Sequence, residues 1–308
     1  MRFSFILPAY KRIYIKEAID SILLQKYTDF ELIIVDDCSP DHLDEIVGTY
    51  DDNRIAYYKN PENIGGKDLV AQWNKCLEYA NGDYVILATD DDLYEPDFLS
   101  TFVELILQYP NANLFRARIL NVDSSNCILW TDYCYKTYLS PIEFRYHYFH
   151  GMHSGIPQYI FKRKVLICKG GFVNFPLAWG ADDATALMMS DCGVINSQKH
   201  LVRFCRSDVN ISSEKSQTGL IKLEARLLFG KWLYSNPIVN TERDEKWNCF
   251  YQNQVVDYTT IYIKRLLIMQ ISELSLFKKI IAYDLVRKSR LLSLKNELSV
   301  IFHSLTKI

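Results

Sequence analysis

Three carboxylates in a row, Asp90-Asp91-Asp92, follow the apolar run Tyr84-Val85-Ile86-Leu87-Ala88. Side by side at the end of a buried strand they repel one another, which costs stability unless a cation or hydrogen-bond donors offset it. Hard divalent ions such as Mg²⁺ or Mn²⁺ take oxygen ligands, typically one or two carboxylates together with substrate phosphates. A second acidic pair, Asp36-Asp37, closes another apolar run, and a carboxylate there can accept from a base N–H or a ribose hydroxyl. After the first apolar run come Pro8, which fixes a turn, Tyr10, which offers a ring face for stacking, and Arg12, a charge for phosphates. Each has a plainer reading as well. The triplet can be a solvated turn capping the next helix, Asp36-Asp37 an Asx-turn, and Tyr10 and Arg12 ordinary surface residues.

These residues need elements to hold them. Residues 2–7 and 30–35 read as buried strands, 55–58 as a short third and 84–88 as a fourth. Between them, Ile15, Ala18, Ile19 and Ile22 recur at helical spacing, and Leu69, Val70, Trp73 and Leu77 share one face of a helix over 67–80 that Asn81-Gly82 ends. A further helix over 97–109 stops at Pro110. Strand–helix alternation predicts a mainly parallel sheet with helices on both faces, an α/β fold. Such sheets bind ligands beyond the carboxyl ends of their strands, where the acidic and polar turns converge. Residues 138–208 are less regular and hold the acidic pair Asp182-Asp183; beyond Ser216 the chain is strongly helical.

Composition limits the alternatives. The 308 residues carry 35 Lys and Arg against 37 Asp and Glu, so no basic surplus marks a nucleic-acid binder. Eight cysteines include no C-x-x-C pair, which removes the common zinc spacings and predicts buried reduced thiols in a cytosolic protein. His150 and His153 could pair on a metal, but lone structural histidines are commoner. The apolar run ending at Pro8 is too short for a signal peptide, and no run is long enough to span a bilayer. A dinucleotide G-x-G-x-x-G or a P-loop is missing from the turn after the first strand, which has no glycine. Residues 271–308 hold seven Lys or Arg and three Asp or Glu, with Leu, Ile, Phe and Val interleaved. That tail suits either peripheral contact with an anionic membrane face or amphipathic helices packed on their own domain.

Pro8-Ala9-Tyr10-Lys11-Arg12, Val35-Asp36-Asp37-Cys38-Ser39, and Gly82-Asp83-Tyr84 leading into Asp90-Asp91-Asp92 and Pro96-Asp97 together resemble glycosyltransferase family 2 over residues 1–210. The resemblance implies a GT-A type Rossmann-like fold and an inverting, nucleotide-sugar-dependent enzyme. It implies that Pro8, Ala9, Tyr10 and Asp37 hold the nucleobase, that Asp90 meets the ribose or diphosphate, and that Asp91, assisted by Asp92, binds the metal. Thr89 stands where the family's Asp-x-Asp often has its first Asp. Asn63-Ile64-Gly65-Gly66-Lys67 resembles the family's Asn-x-Gly loop, with Lys67 near the nucleotide; Asp68 or Trp73 occupies the region where the family often uses Arg. Gly170-Gly171-Phe172 followed by Asp182-Asp183 resembles its Gly-Gly-Phe and Glu-Asp segments. The match gives Asp183 the general-base role, with Asp182 in the Glu position and Trp179 against a sugar; helix capping and core packing are the plainer readings of these three. Asp208 falls near a family Arg-x-His segment and reads as a loop residue.

The expectation is therefore a metal-dependent, hexosyltransferase-type enzyme with residues 1–215 as catalytic domain and 216–308 as a helical extension. It would use Mg²⁺ or Mn²⁺ and move sugar from a nucleotide diphosphate sugar, UDP-linked, to a carbohydrate or lipid-linked acceptor. The setting would be cell-surface polysaccharide synthesis, in the cytoplasm or on the inner membrane face, with no nucleic-acid partner. A non-catalytic nucleotide-sugar-binding module and another metal-dependent nucleotide-sugar enzyme are the alternatives.

Overall fold

The computed structural model describes residues 1–123, 125–206, 218–237 and 255–306. By its internal contacts the chain divides into two units: Met1–Val173 with Thr185–Ser207, and Asn174–Ala184 with Asp208–Ile308. Asp208 and the 215/216 boundary lie outside the described residues.

In the first unit, β1 (Phe3–Ala9) and β2 (Phe30–Asp36) are apolar along almost their whole length and buried on both faces. Such runs suit parallel strands covered by helices on either side. They alternate with α1 (Ile15–Leu23), α2 (Leu43–Val47), β3 (Ile55–Lys59), α3 (Leu69–Glu78) and β4 (Tyr84–Leu87). The short β5 (Leu93–Tyr94) and α4 (Phe98–Gln108) follow. Ile15, Ala18, Ile19 and Ile22 of α1, and Phe98, Leu99, Phe102 and Ile106 of α4, enter the core. Phe5 sits at its centre, edge-on to Tyr94 at 5.0 Å between ring centroids.

The chain continues through β6 (Leu114–Asp123), β7 (Ile128–Thr131), β8 (Tyr138–Leu139), α5 (Pro141–Phe149), β9 (Tyr159–Lys162), α6 (Arg163–Cys168), α7 (Ala181–Met189) and β10 (Val194–Arg206). The sheet runs β3-β2-β1-β4-β9-β6-β10-β5. Its longest ladders, β1 with β2 and β6 with β10, are parallel, as are β2 with β3 and β1 with β4; β9 inserts antiparallel between β4 and β6. Strand β10 lies in the stretch whose sequence looks irregular. Its register against β6 shifts between Asn196 and Val202, a bulge that breaks the period-2 alternation.

The expectation of buried thiols fails. Among the described residues only Cys76 is buried, whereas Cys127, Cys134, Cys168 and Cys192 are exposed on loops and element ends; none forms a disulfide. No helix among the described residues is long and apolar enough to cross a membrane.

The second unit contains α8 (Gly219–Ser235) and the helices Val255–Ser272, Leu276–Ser289 and Leu294–Leu305. Leu223, Phe229, Leu233, Ile263, Leu267, Ala282, Val286 and Val300 are buried in it. Phe175 meets Phe229 edge-on at 5.8 Å, fastening the segment 174–184 to α8.

Candidate functional site

The turns that leave β1, β2 and β4 are tied to one another in the first unit. The Asp37 N–H donates to the Ala9 carbonyl at 2.9 Å, and the Ser39 hydroxyl donates to the Tyr10 carbonyl at 2.5 Å. Asp36 is spent on structure: its carboxylate accepts from the Ser39 N–H at 2.7 Å and the Tyr57 hydroxyl at 2.6 Å. Between these anchors Cys38 adopts the left-handed region, φ 56. Pro8 lies within β1 opposite Val35 and not in the turn, because the ladder runs on to Ala9 and Asp36; Ala9 is buried, and the Tyr10 side chain is exposed.

Asp37 is buried and organises the loop that follows β3. Its Oδ1 accepts from Asn60 Nδ2 and the Ile64 N–H, both at 2.8 Å, and its Oδ2 from the Gly65 N–H at 2.6 Å. Carboxylates that accept two or three such bonds are held tightly. Gly65 is needed for this approach, because a Cβ there would stand 2.9 Å from Asp37 Oδ2. Asp68 caps α3 by accepting from the Ala71 N–H at 3.0 Å, and Trp73 is buried against Phe172. Lys67 is exposed and pairs with Glu62 at 2.6 Å; Arg12, also exposed, donates to the carbonyls of Asp41 and His42.

The acidic triplet joins the same cluster, since Asp90 Oδ2 accepts from the Lys11 N–H at 3.2 Å. Its members differ. Asp92 is fully engaged: Oδ2 accepts from the Thr89 hydroxyl at 2.5 Å and Oδ1 from the Cys205 N–H of β10 at 2.8 Å. Thr89 thus serves as a donor to the triplet. Burial raises the Asp90 carboxyl above its usual range. Burial, then the neighbouring Asp90 charge, pushes Asp91 up to about 6. Burial and Asp91 together hold Asp92 well above the carboxylate range. Among the described residues no group of three or more His, Cys, Asp or Glu is placed to hold a metal ion by itself. Hard divalent ions bound with substrate phosphates need only one or two carboxylates, and a partly buried oxygen donor whose charge is disfavoured by burial and a neighbouring carboxylate is of the type that could take Mg²⁺ or Mn²⁺. Asp91 meets that description.

The histidines have other partners. His150 stacks on Tyr146 at 4.1 Å, and His153 lies edge-on to Trp130 at 5.0 Å.

Gly171 has φ +84, and any side chain there would strike Asn74, whose Oδ1 accepts from the Phe172 N–H at 2.8 Å. The chain then enters the second unit. Leu177 and Ala178 are both left-handed, φ 58 and 54. Consecutive non-glycine residues in that region cost about 1–3 kcal/mol each and mark positions fixed by their surroundings. Trp179 follows, with Lys222 Nζ 4.4 Å and Arg226 Cζ 5.2 Å from its ring centroid. Its indole Nε1 is buried with no hydrogen-bond partner among the described residues. Helix α7 begins at Ala181, so Asp182 and Asp183 both lie in its first turn, where the helix dipole favours negative charge. Asp182 is therefore inside the helix and not its N-cap; its Oδ1 accepts from the Asp183 N–H at 2.9 Å. Burial, then the Asp183 charge, pushes the Asp182 carboxyl well above its usual range. Asp183 Oδ2 lies 3.9 Å from Arg226 Nη1, with both side chains largely buried. Lys222 and Arg226 carry no motif in the sequence. Their one visible signal is an i,i+4 cationic pair on α8, which looks like any solvated helix face.

The structure thus gathers Ala9, Tyr10, Asp37 and Asp90 through one hydrogen-bonded set of turns, with Pro8 preceding Ala9 in β1 and Asp91 and Asp92 adjoining Asp90 in the chain. Trp179, Asp182 and Asp183 belong to the second unit.

Several known proteins are similar to this chain. TuaG of Bacillus subtilis (strain 168), named for glycosyl transfer in teichuronic acid biosynthesis, is 39% identical over 108 residues, 34% of this chain and 42% of TuaG. WcaA of Escherichia coli (strain K12), named for colanic acid biosynthesis, is 40% identical over 88 residues, 28% of this chain and 30% of WcaA. The matched stretch is less than half of either relative. Among solved structures, S. aureus TarS 1-349 in complex with UDP-GlcNAc aligns with TM-score 0.67 and 17% identity over 100% of this chain and 92% of that one. The mannosyltransferase PcManGT of Pyrobaculum calidifontis, in complex with GDP-Man and Mn²⁺, aligns with TM-score 0.55 and 18% identity over 99% of this chain and 86% of that one. These likenesses identify the architecture as GT-A, with a central sheet flanked by helices and further helices toward the C-terminus. The model of Glycosyl transferase family 2 matches residues 4–162, more than half the chain and all the strand-end turns described above; the chain belongs to glycosyltransferase family 2.

Proposed function

We propose that this chain is an inverting glycosyltransferase that moves a sugar from a nucleotide diphosphate sugar, UDP-linked, to an acceptor hydroxyl in cell-surface polysaccharide assembly. The observation that carries this is the hydrogen-bonded knot of turns at the carboxyl ends of β1, β2 and β4, where α/β sheets take their ligands. TuaG and WcaA, named for surface polymers, support the setting, and TarS bound to UDP-GlcNAc supports the donor class.

In this mechanism Ala9, Tyr10 and Asp37 receive the nucleobase and Asp90 the ribose or diphosphate. Arg12 and Lys67 stand by for the phosphates, since their exposed pairings are weak and exchange readily. Asp91 would hold the divalent ion, and Asp92, with both oxygens engaged, would brace the turn that carries Asp91. When bound, the ion would offset charge developing on the leaving diphosphate. Asp183 takes the proton of the acceptor hydroxyl as that oxygen attacks the anomeric carbon from the side opposite the leaving group. Asp182, kept neutral by burial beside Asp183, leaves Asp183 as the proton acceptor of the pair. Arg226 orients Asp183, and Trp179 supplies an apolar face to a sugar.

A panel of nucleotide sugars tests the reading by thermal shift with and without Mn²⁺, followed by nucleotide release with candidate acceptors. A UDP-sugar is expected to raise the melting temperature more when Mn²⁺ is present. Binding without release for every donor and acceptor would leave a non-catalytic module. Two smaller effects follow. Gly65→Ala crowds Asp37 Oδ2 and is expected to weaken nucleotide affinity about tenfold, measured by calorimetry. Arg226→Gln is expected to lower kcat about tenfold with nucleotide affinity unchanged, because it frees Asp183 to turn, and Arg226→Lys should recover part of the loss.

A further inference from the structure

The helices Leu276–Ser289 and Leu294–Leu305 are apolar on two sides, and only one of those sides is used by the fold. Ala282 and Val286 of the first, and Val300 of the second, are buried within the unit. Away from them Leu276, Phe277 and Ile280 stand 74%, 74% and 66% exposed, and Leu294, Leu298 and Phe302 stand 69%, 58% and 63% exposed. Positions 276, 277 and 280, and then 294, 298 and 302, recur at the helical period, so each set forms one outward stripe. Single exposed apolar residues are ordinary on a soluble surface, but grouped Leu, Ile and Phe side chains mark a surface that meets something.

Charge identifies what. Between Leu276 and Leu305 the chain has six Lys or Arg and two Asp or Glu; Lys279 is buried with its Nζ donating to the Ser304 carbonyl, which leaves five cations for the surface. Arg287 and Lys295 are exposed, and Lys288 reaches only as far as Asp284 at 2.6 Å on its own helix. A second copy of this chain laid on the stripes would bring two cationic surfaces together. An anionic bilayer accepts both features at once: the apolar stripes enter the acyl boundary, and the cations meet the headgroups.

We propose that these two helices dock the protein on an anionic lipid surface, lying in the interface without crossing it. This does not depend on the glycosyl-transfer reading, because binding is read without donor or acceptor.

Flotation of the full chain with phosphatidylcholine vesicles, and with vesicles that also contain phosphatidylglycerol, tests it. The chain is expected to float with the anionic vesicles, to bind neutral ones far less, and to be released by salt as the cations are screened. Phe277→Ser with Phe302→Ser is expected to cut anionic-vesicle binding at least about tenfold through lost apolar insertion. Arg287→Glu with Lys295→Glu is expected to do the same through charge, since each cation is worth about fivefold near an anionic leaflet. All four side chains are exposed, so unchanged melting temperatures should accompany both losses. Absence of binding to anionic vesicles, equal binding to both vesicle types, or full binding by both double variants would overturn the proposal. So would a concentration-dependent dimer, seen by sedimentation in the parent and lost in the Phe277→Ser, Phe302→Ser variant.

Discussion

Asp183→Asn is expected to cut turnover by at least about a hundredfold while nucleotide affinity stays near that of the parent, the usual scale for a lost acid–base group. Asparagine keeps the shape of aspartate, so the first turn of α7 and the contact toward Arg226 can persist. What it loses is the ability to accept a proton. Asp182 is a poor substitute near neutral pH, because burial and the adjacent charge favour its neutral form, and it can act as a base only as rising pH ionises it. In the variant the Asp183 charge is gone, so Asp182 ionises more easily than before. A small residual rate that rises with pH is the expected sign of that rescue. Single-turnover kinetics with a fixed donor separate the chemical step from binding. Unchanged turnover in Asp183→Asn would remove this residue from the reaction.

Asp91→Ala is expected to abolish the metal-stimulated part of nucleotide binding and to lower turnover at least about a hundredfold, since charge stabilisation by a bound ion supplies several kcal/mol. Calorimetry of UDP with and without Mn²⁺, on parent and variant, reads the first effect. The parent should bind more tightly with metal, and the variant equally in both conditions. Misfolding is a poor explanation for such a loss. Asp91 sits beside Asp90 in a partly buried turn where its charge is disfavoured, so its removal should leave the melting temperature of the ligand-free protein unchanged or raised. Equal affinity with and without metal in both proteins would defeat the assignment.

These predictions rest on side chains of unequal legibility. The runs Phe3–Ala9 and Phe30–Asp36 announce buried strands, because an unbroken apolar stretch bounded by turn residues has few other uses. The apolar spacing in α1 and α3 likewise announces helices of the same unit. Strand β10 did not announce itself. Its bulge breaks the alternation, and His200 and Arg203 interrupt its apolar positions. Cysteine exposure is illegible for a similar reason: a thiol is buried by its neighbours in space, and Cys168 and Cys192 sit on element ends that the fold leaves open.

The sequence by itself determined the α/β alternation and the placing of acidic and aromatic residues just past the strands, because periodicity and turn chemistry are local. Only the tertiary structure decided which carboxylate oxygens are already taken. Asp90 receives a donor 79 residues away and Asp92 one 113 residues away, and Trp179 is flanked by cations of a helix that begins at Gly219. Desolvation and hydrogen-bond pairing depend on what packs nearby in space, and that proximity is written in no local pattern.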